Sequence, residues 1–236
     1  MTMKICYFPV ARSVAMTALA LFLGACSGTT PTLDTGPDAE ATFDGLYEIK
    51  GGSADKAWAR PDLDLSGYNK IMLQGVGIEY RPGGETRRRY TMSTSGPWAL
   101  TDDQKARLQK AVTETAVKEL GESSRFTLVD KPGPDVLLIR VGLLDVVSYV
   151  PPEPISRGEI FLSEIGAATL VLEIRDSQTG AILVRAADRS TIGKGMGMTR
   201  SNRATNTFEV KAVVRSWMSA LRDRLDGFSG FNNEAG

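Results

Sequence analysis

The most specific chemistry in this 236-residue sequence lies in four residues, Leu23-Gly24-Ala25-Cys26. Two small residues before a cysteine, at the end of the apolar run Val14 to Leu23, form a signal for lipid attachment and cleavage between Ala25 and Cys26. Lys4 and Arg12 supply the positive start, and no acidic residue precedes Asp34. The uncharged stretch from Ser13 to Ala25 is well short of the roughly 20 residues that a spanning helix needs. The expected product is a diacylglycerol thioether on Cys26, usually with a third chain on its freed amine. At about 0.8 kcal/mol per buried CH₂, two or three chains anchor a protein stably where one would not. Ser27, rather than aspartate, follows the cysteine, which favours the outer membrane, facing the periplasm.

The remaining inventory is restrictive. The sequence has no histidine, which removes His-based triads, histidine zinc sites and a side-chain switch near neutral pH. Of its two cysteines, Cys6 leaves with the signal and Cys26 is consumed by lipid, so neither a disulfide nor a catalytic thiol is expected. Of the 28 basic residues Lys4 and Arg12 leave, and none of the 28 acidic ones does, so the mature net charge is −2. No basic stripe suggests nucleic acid. No metal site and no cofactor is expected.

Four segments resemble functional motifs without matching them. Asp62-Leu63-Asp64-Leu65-Ser66-Gly67 opens like a calcium loop, but Leu73 stands where a bidentate glutamate is required, so it reads as a turn before a strand. Gly193-Lys194-Gly195-Met196-Gly197-Met198 fails both the dinucleotide and the phosphate-loop patterns and reads as an exposed connection. Its backbone amides could meet an anion, and its methionines could belong to an adaptable contact surface. Arg87-Arg88-Arg89 is the one dense basic run, a solvated patch or a contact for an anionic envelope partner. Asp145, Glu153, Glu159 and Glu164 are the acids from which a hydrolytic pair would have to come. Such a pair must be held about 5 to 10 Å apart in a cleft, which spacing alone does not secure. No catalytic residue is assigned.

The elements that position these residues read as follows. Residues 1–25 are the cleaved signal, 26–42 a small, polar, flexible tether, and 43–232 one α+β domain. Phe43 to Gly67 reads as an irregular arm packed by Phe43, Leu46, Tyr47 and Trp58. Lys70 to Tyr80 is a strand. Thr101-Asp102-Asp103-Gln104 is a capping box opening a helix that carries Leu108, Ala111, Val112, Thr115 and Leu120 on one face and ends at Gly121. Strands follow over Phe126 to Val129 and Asp135 to Val150, the latter stopped by Pro151, Pro152 and Pro154. Ala167 to Asp176 alternates strictly, and Ser177-Gln178-Thr179-Gly180 turns it into Ala181 to Ile192, a hairpin. A final helix runs from about Thr207 to Phe228, with Val210, Val214, Trp217, Leu221, Leu225 and Phe228 recurring every three or four residues. The β-α-β-β-β-β-α order predicts a mostly antiparallel sheet with two helices packed on one face.

Three stretches, Asp64 to Leu73, Lys131 to Val141, and Asp176 to Val184 with Asp188-Arg189, together with Trp217, Leu221 and Arg224-Leu225-Asp226, resemble the bacterial lipoproteins grouped as domain of unknown function 3313. The resemblance spans roughly Phe43 to Phe228. It implies an anchored single domain and assigns no activity to any residue.

These readings converge on a lipid-anchored envelope lipoprotein that acts as a binding or scaffold module, or as an accessory subunit of an envelope complex, rather than as an enzyme. The alternatives are a periplasmic hydrolase using carboxylates or a serine, and a small-molecule or lipid carrier. Converging acids in a deep polar pocket would favour the first alternative and an apolar cavity the second. An exposed groove or apolar patch would favour the scaffold.

Overall fold

The fold was analysed from a computed structural model, which describes residues 31–81, 97–151, 159–193 and 197–231. Ala25, Cys26 and Arg87 to Arg89 therefore lie outside the described residues, as do Glu153 and Lys194 to Met196.

The elements follow in chain order. They are β1 (Thr32–Leu33), β2 (Tyr47–Lys50), β3 (Lys56–Ala59), β4 (Lys70–Tyr80), α1 (Asp102–Gly121), β5 (Thr127–Leu128), β6 (Val136–Ser148), β7 (Phe161–Leu162), β8 (Gly166–Asp176), β9 (Ile182–Ile192), β10 (Thr199–Arg200) and α2 (Arg203–Gly227). Eight strands form one sheet in the order β1-β2-β3-β9-β8-β6-β4-β5, and β7 pairs with β10 in a separate ribbon. All pairings are antiparallel except β4 with β6 and β4 with β5. Two parallel strands need a crossover, and α1 lies in the connection from β4 to β6.

Period-two alternation decides which face is buried. Leu137, Ile139, Val141 and Leu143 of β6 point to the same side as Ala168, Leu170, Leu172 and Ile174 of β8, and all eight are buried. Val112, Ala116 and Leu120 of α1 and Val214, Met218 and Leu225 of α2 meet them there. Both helices thus cover one face of a mostly antiparallel sheet, the expected α+β arrangement. Each fully buried large side chain contributes about 1.5–3 kcal/mol.

The capping box forms as expected. Thr101 accepts a hydrogen bond from the Gln104 amide at 3.3 Å, and the Gln104 side chain accepts one from the Thr101 amide at 2.8 Å. The β8–β9 turn closes around Asp176, whose carboxylate accepts from the Thr179 amide at 2.7 Å and the Gln178 amide at 3.1 Å. Gly180 supplies the positive φ (71°) that this turn requires.

Four expectations are corrected. The tether is not free throughout residues 26–42: Thr32 and Leu33 pair with Lys50 and Ile49, and Leu33 is buried. The segment Phe43 to Gly67 is not wholly irregular, because β2 and β3 extend the sheet from the β9 edge. Within it Phe43 does not pack inward. It is 96% exposed and lies over the Arg185 guanidinium, 5.8 Å from its ring centre, while Leu46 is the buried residue. The last helix also starts earlier than expected, at Arg203, because Asn202 caps it by accepting from the Thr205 amide at 3.0 Å.

Candidate functional site

Strand directions place the ends of β4, β6 and β9, the start of β8 and the N-termini of both helices at one end of the domain. A cavity of about 330 Å³ opens there. Its interior is apolar: Val146 and Val147 from β6, Ile165 ahead of β8, Ile192 from β9, Ala111 from α1 and Val210 from α2. This volume lies at the low end of small-molecule sites, which are typically about 300–1,000 Å³.

The backbone at the cavity is tightly constrained. β6 carries a bulge between Leu144 and Val147, and Gly166 of β8 pairs with Ser148 just beyond it. A Cβ on Gly166 would stand 2.4 Å from the Val147 carbonyl oxygen, so only glycine fits this approach. The bulge also places Asp145 at φ 52°, a left-handed conformation that aspartate tolerates better than most residues.

Polar groups are contributed mainly by the helix starts. Gln104 and Arg107 come from α1, and Asn202, Arg203 and Asn206 from the start of α2. The described lining holds two charged residues, Arg107 and Arg203, and no aspartate or glutamate. Arg107 is paired along its helix with Asp103. The two helix starts differ in charge. α1 begins with Asp102 and Asp103, which oppose the positive end of its dipole. α2 has no acid in its first turn and places Arg203 at its first position, adding like charge to the dipole.

Of the acids considered for a hydrolytic pair, those that are described do not converge on the cavity. Asp145 lies on a sheet strand and is held by Arg81 and by Arg189 at 2.9 Å. The hydrogen bond from Arg81 comes first among the effects that hold its carboxyl below the usual range. Glu159 is paired with Arg200 at 2.8 Å. Neither of these nor Glu164 lines the cavity. Asp64 closes a local turn, accepting from the Ser66 amide at 2.8 Å, and Leu65 packs into the core, as a turn before a strand should. Among the described residues no cluster of three or more metal-ligating side chains forms, and no helix is long and apolar enough to cross a membrane.

The cavity itself was not legible in the sequence. Its lining comes from six segments separated by up to about a hundred residues, each reading as ordinary core or cap. One usable signal was the start of α2, where Ser201-Asn202 precedes a basic first turn. At the same end Phe161, Met198 and Phe208 are exposed.

No curated protein matches the chain. Among solved structures it is similar to the PelC dodecamer from Paraburkholderia phytofirmans, at 11% identity over 70% of this chain and 96% of that one, with a TM-score of 0.34. It is also similar to a minor lipoprotein from Acinetobacter baumannii, at 14% identity over 67% and 93%, with a TM-score of 0.29. A third is a putative neuraminyllactose-binding hemagglutinin homolog from Helicobacter pylori, at 8% identity over 70% and 86%, with a TM-score of 0.35. A family model described as a protein of unknown function, DUF3313, matches residues 39–221, which takes in all the motifs that carried that resemblance except Arg224-Leu225-Asp226. The chain belongs to the DUF3313 family.

Proposed function

We propose that this protein is a lipoprotein held at an envelope membrane through Cys26, and that its domain is a binding module whose cavity takes an apolar or amphipathic small molecule. The observation that carries this reading is the cavity lining: an apolar interior, polar groups from two helix starts, and no carboxylate among the described residues. Acid-based hydrolysis needs two carboxylates in a cleft; Asp145 and Glu159 are engaged elsewhere by arginines, and Glu164 does not line the cavity. The short tether supports the same reading. With β1 starting at Thr32, the chain from Cys26 spans at most about 20 Å, since an extended residue covers about 3.5 Å. The domain is then held close to the bilayer that would supply such a molecule.

An accessory-subunit role has one observation of its own, the exposed Phe161, Met198 and Phe208 at the cavity end. Crosslinking in cells from photoreactive residues at these three positions would capture a recurring envelope protein if that end docks one.

The experiment for the main reading has two arms. Cys26→Ser should abolish palmitate labelling and move the protein from the membrane to the soluble periplasmic fraction. Retention in the membrane fraction would refute the anchor. In the purified full-length protein, Val210→Trp should fill the cavity and reduce binding of a hydrophobic fluorescent probe at least tenfold while the fold is retained by circular dichroism. Unchanged probe binding would refute the cavity as the site.

A further inference from the structure

We infer that the ligand of this cavity is a single-chain amphiphile with an anionic headgroup, its alkyl chain among Val146, Ile165, Ile192 and Val210 and its headgroup at the first turn of α2 beside Arg203. This rests on the cavity being a binding site and adds the charge and the orientation of what binds.

Three observations carry it. The first is volume: about 330 Å³ accommodates one alkyl chain rather than a multi-chain lipid. The second is separation of character, since the lining residues Val146, Ile165 and Ile192 are buried at or next to strand ends, whereas Asn202 and Arg203 of the same lining are exposed. A ligand that satisfies both must itself be apolar at one end and polar at the other. The third is charge. The charged residues on the described lining are both arginines, and Arg107 already has Asp103 as a partner. Arg203 sits where a helix disfavours a cation, and the first turn of α2 holds no acid to offset it. An anion there would neutralise Arg203 and accept from the Arg203 and Ala204 amides, which precede the Thr205 amide already taken by the Asn202 cap. The start of α1, at the same cavity, has Asp102 and Asp103 in that role, so the headgroup is assigned to α2.

The test uses the full-length Cys26→Ser protein and monomeric probes below their micelle-forming concentrations: dodecanoate, dodecyl phosphate and dodecanol. Both anions should bind at least tenfold more tightly than the alcohol. Arg203→Glu should erase that preference, leave dodecanol binding unchanged, and keep or raise the melting temperature, because glutamate suits a helix start. Arg107→Gln should reduce the preference less. Equal binding of the three probes, or a preference that survives Arg203→Glu, overturns the anionic assignment while leaving the cavity reading intact. Binding of none of them, with dodecanol also failing, refutes the cavity reading itself. Attachment only to phosphatidylglycerol vesicles, with no preference among the monomeric probes, overturns the assignment in favour of a surface contact.

Discussion

The two ends of the sheet are built on opposite principles. At the hairpin end, polar side chains tie separate elements together. Tyr68 donates to Asp176 at 2.9 Å across the sheet, and Asp226 of α2 accepts from the Ser123 and Ser124 hydroxyls at 2.6 and 2.9 Å. Arg125 donates to the Leu65 carbonyl at 2.6 Å and to the Phe228 carbonyl at 3.0 Å. At the other end Arg81, just beyond β4, and Arg189 of β9 are tied to Asp145 of β6, while the helices begin over a cavity of about 330 Å³ with an apolar interior. At one end hydrogen bonds to Asp226 fasten α2 to the loop after α1; at the other the charged ties join strands, and the helix starts leave volume unfilled. A small domain can carry such a void because the rest of its core, from Leu137 to Met218, is closed.

Between the helices a further tie reinforces the fastened side. Glu119 is 4% exposed, and it faces Arg215 at 3.3 Å and Arg222 at 3.6 Å. The two arginines reach it from α2, so the charge is paired within the helix layer rather than buried alone.

The contrast can be broken from either end. The largest effect is expected at the cavity end, where Gly166→Ala forces a Cβ against the Val147 carbonyl and the β6–β8 pairing must shift. A loss of about 3 kcal/mol should appear in denaturant titration. A variant as stable as the parent would mean that the cavity end yields easily. At the fastened end, Asp226→Ala strands the Ser123 and Ser124 donors and should cost about 2 kcal/mol by the same measurement. It should leave probe binding at the cavity unchanged, because the site is at the opposite end.

A smaller and pH-dependent effect belongs to Tyr68. Burial first, then its bond to Asp176, pushes its pKa up to about 12. The folded value is raised above the ordinary value near 10, so the contribution of Tyr68 is complete below pH 10 and is lost as pH rises towards 12. Tyr68→Phe should lower stability by about 1 kcal/mol at neutral pH and flatten the decline between pH 10 and 12. An unaltered decline would assign it to other groups. On the acid side Asp176 is held below its ordinary range, chiefly by the Thr179 amide. Its share of stability is therefore present above about pH 4 and lost as pH falls through its folded value.

How much could be read beforehand differed by element. β4 carries the bounds expected from its β-rich run, α1 starts at its capping box, and the β8–β9 hairpin follows strict alternation. These signals are local and dense, so no distant contact was needed to reveal them. β1, β2 and β3 were missed because strands of two to four residues have no measurable period, and Tyr47–Lys50 becomes a strand only by pairing with β3. The β7–β10 ribbon escaped for the same reason. Met218, 1% exposed, went unlisted on its helix face because its neighbours Trp217 and Leu221 fit the spacing as well, and rotation of the helix on the sheet chose between them. Of the candidate site, the sequence marked no residue, because the cavity is assembled from residues that each look structural.

By itself the sequence determined the exclusion of histidine chemistry, the family and the α+β class, because composition, motifs and local periodicity are properties of contiguous chain. Only the tertiary structure decided that β4 runs parallel to β6, that Thr32 and Leu33 join the sheet, and that both helix starts converge on a cavity whose described lining holds arginines and no acids. Those depend on which distant segments meet, and that is set by burying one face of the sheet as a whole rather than by any segment's own preference.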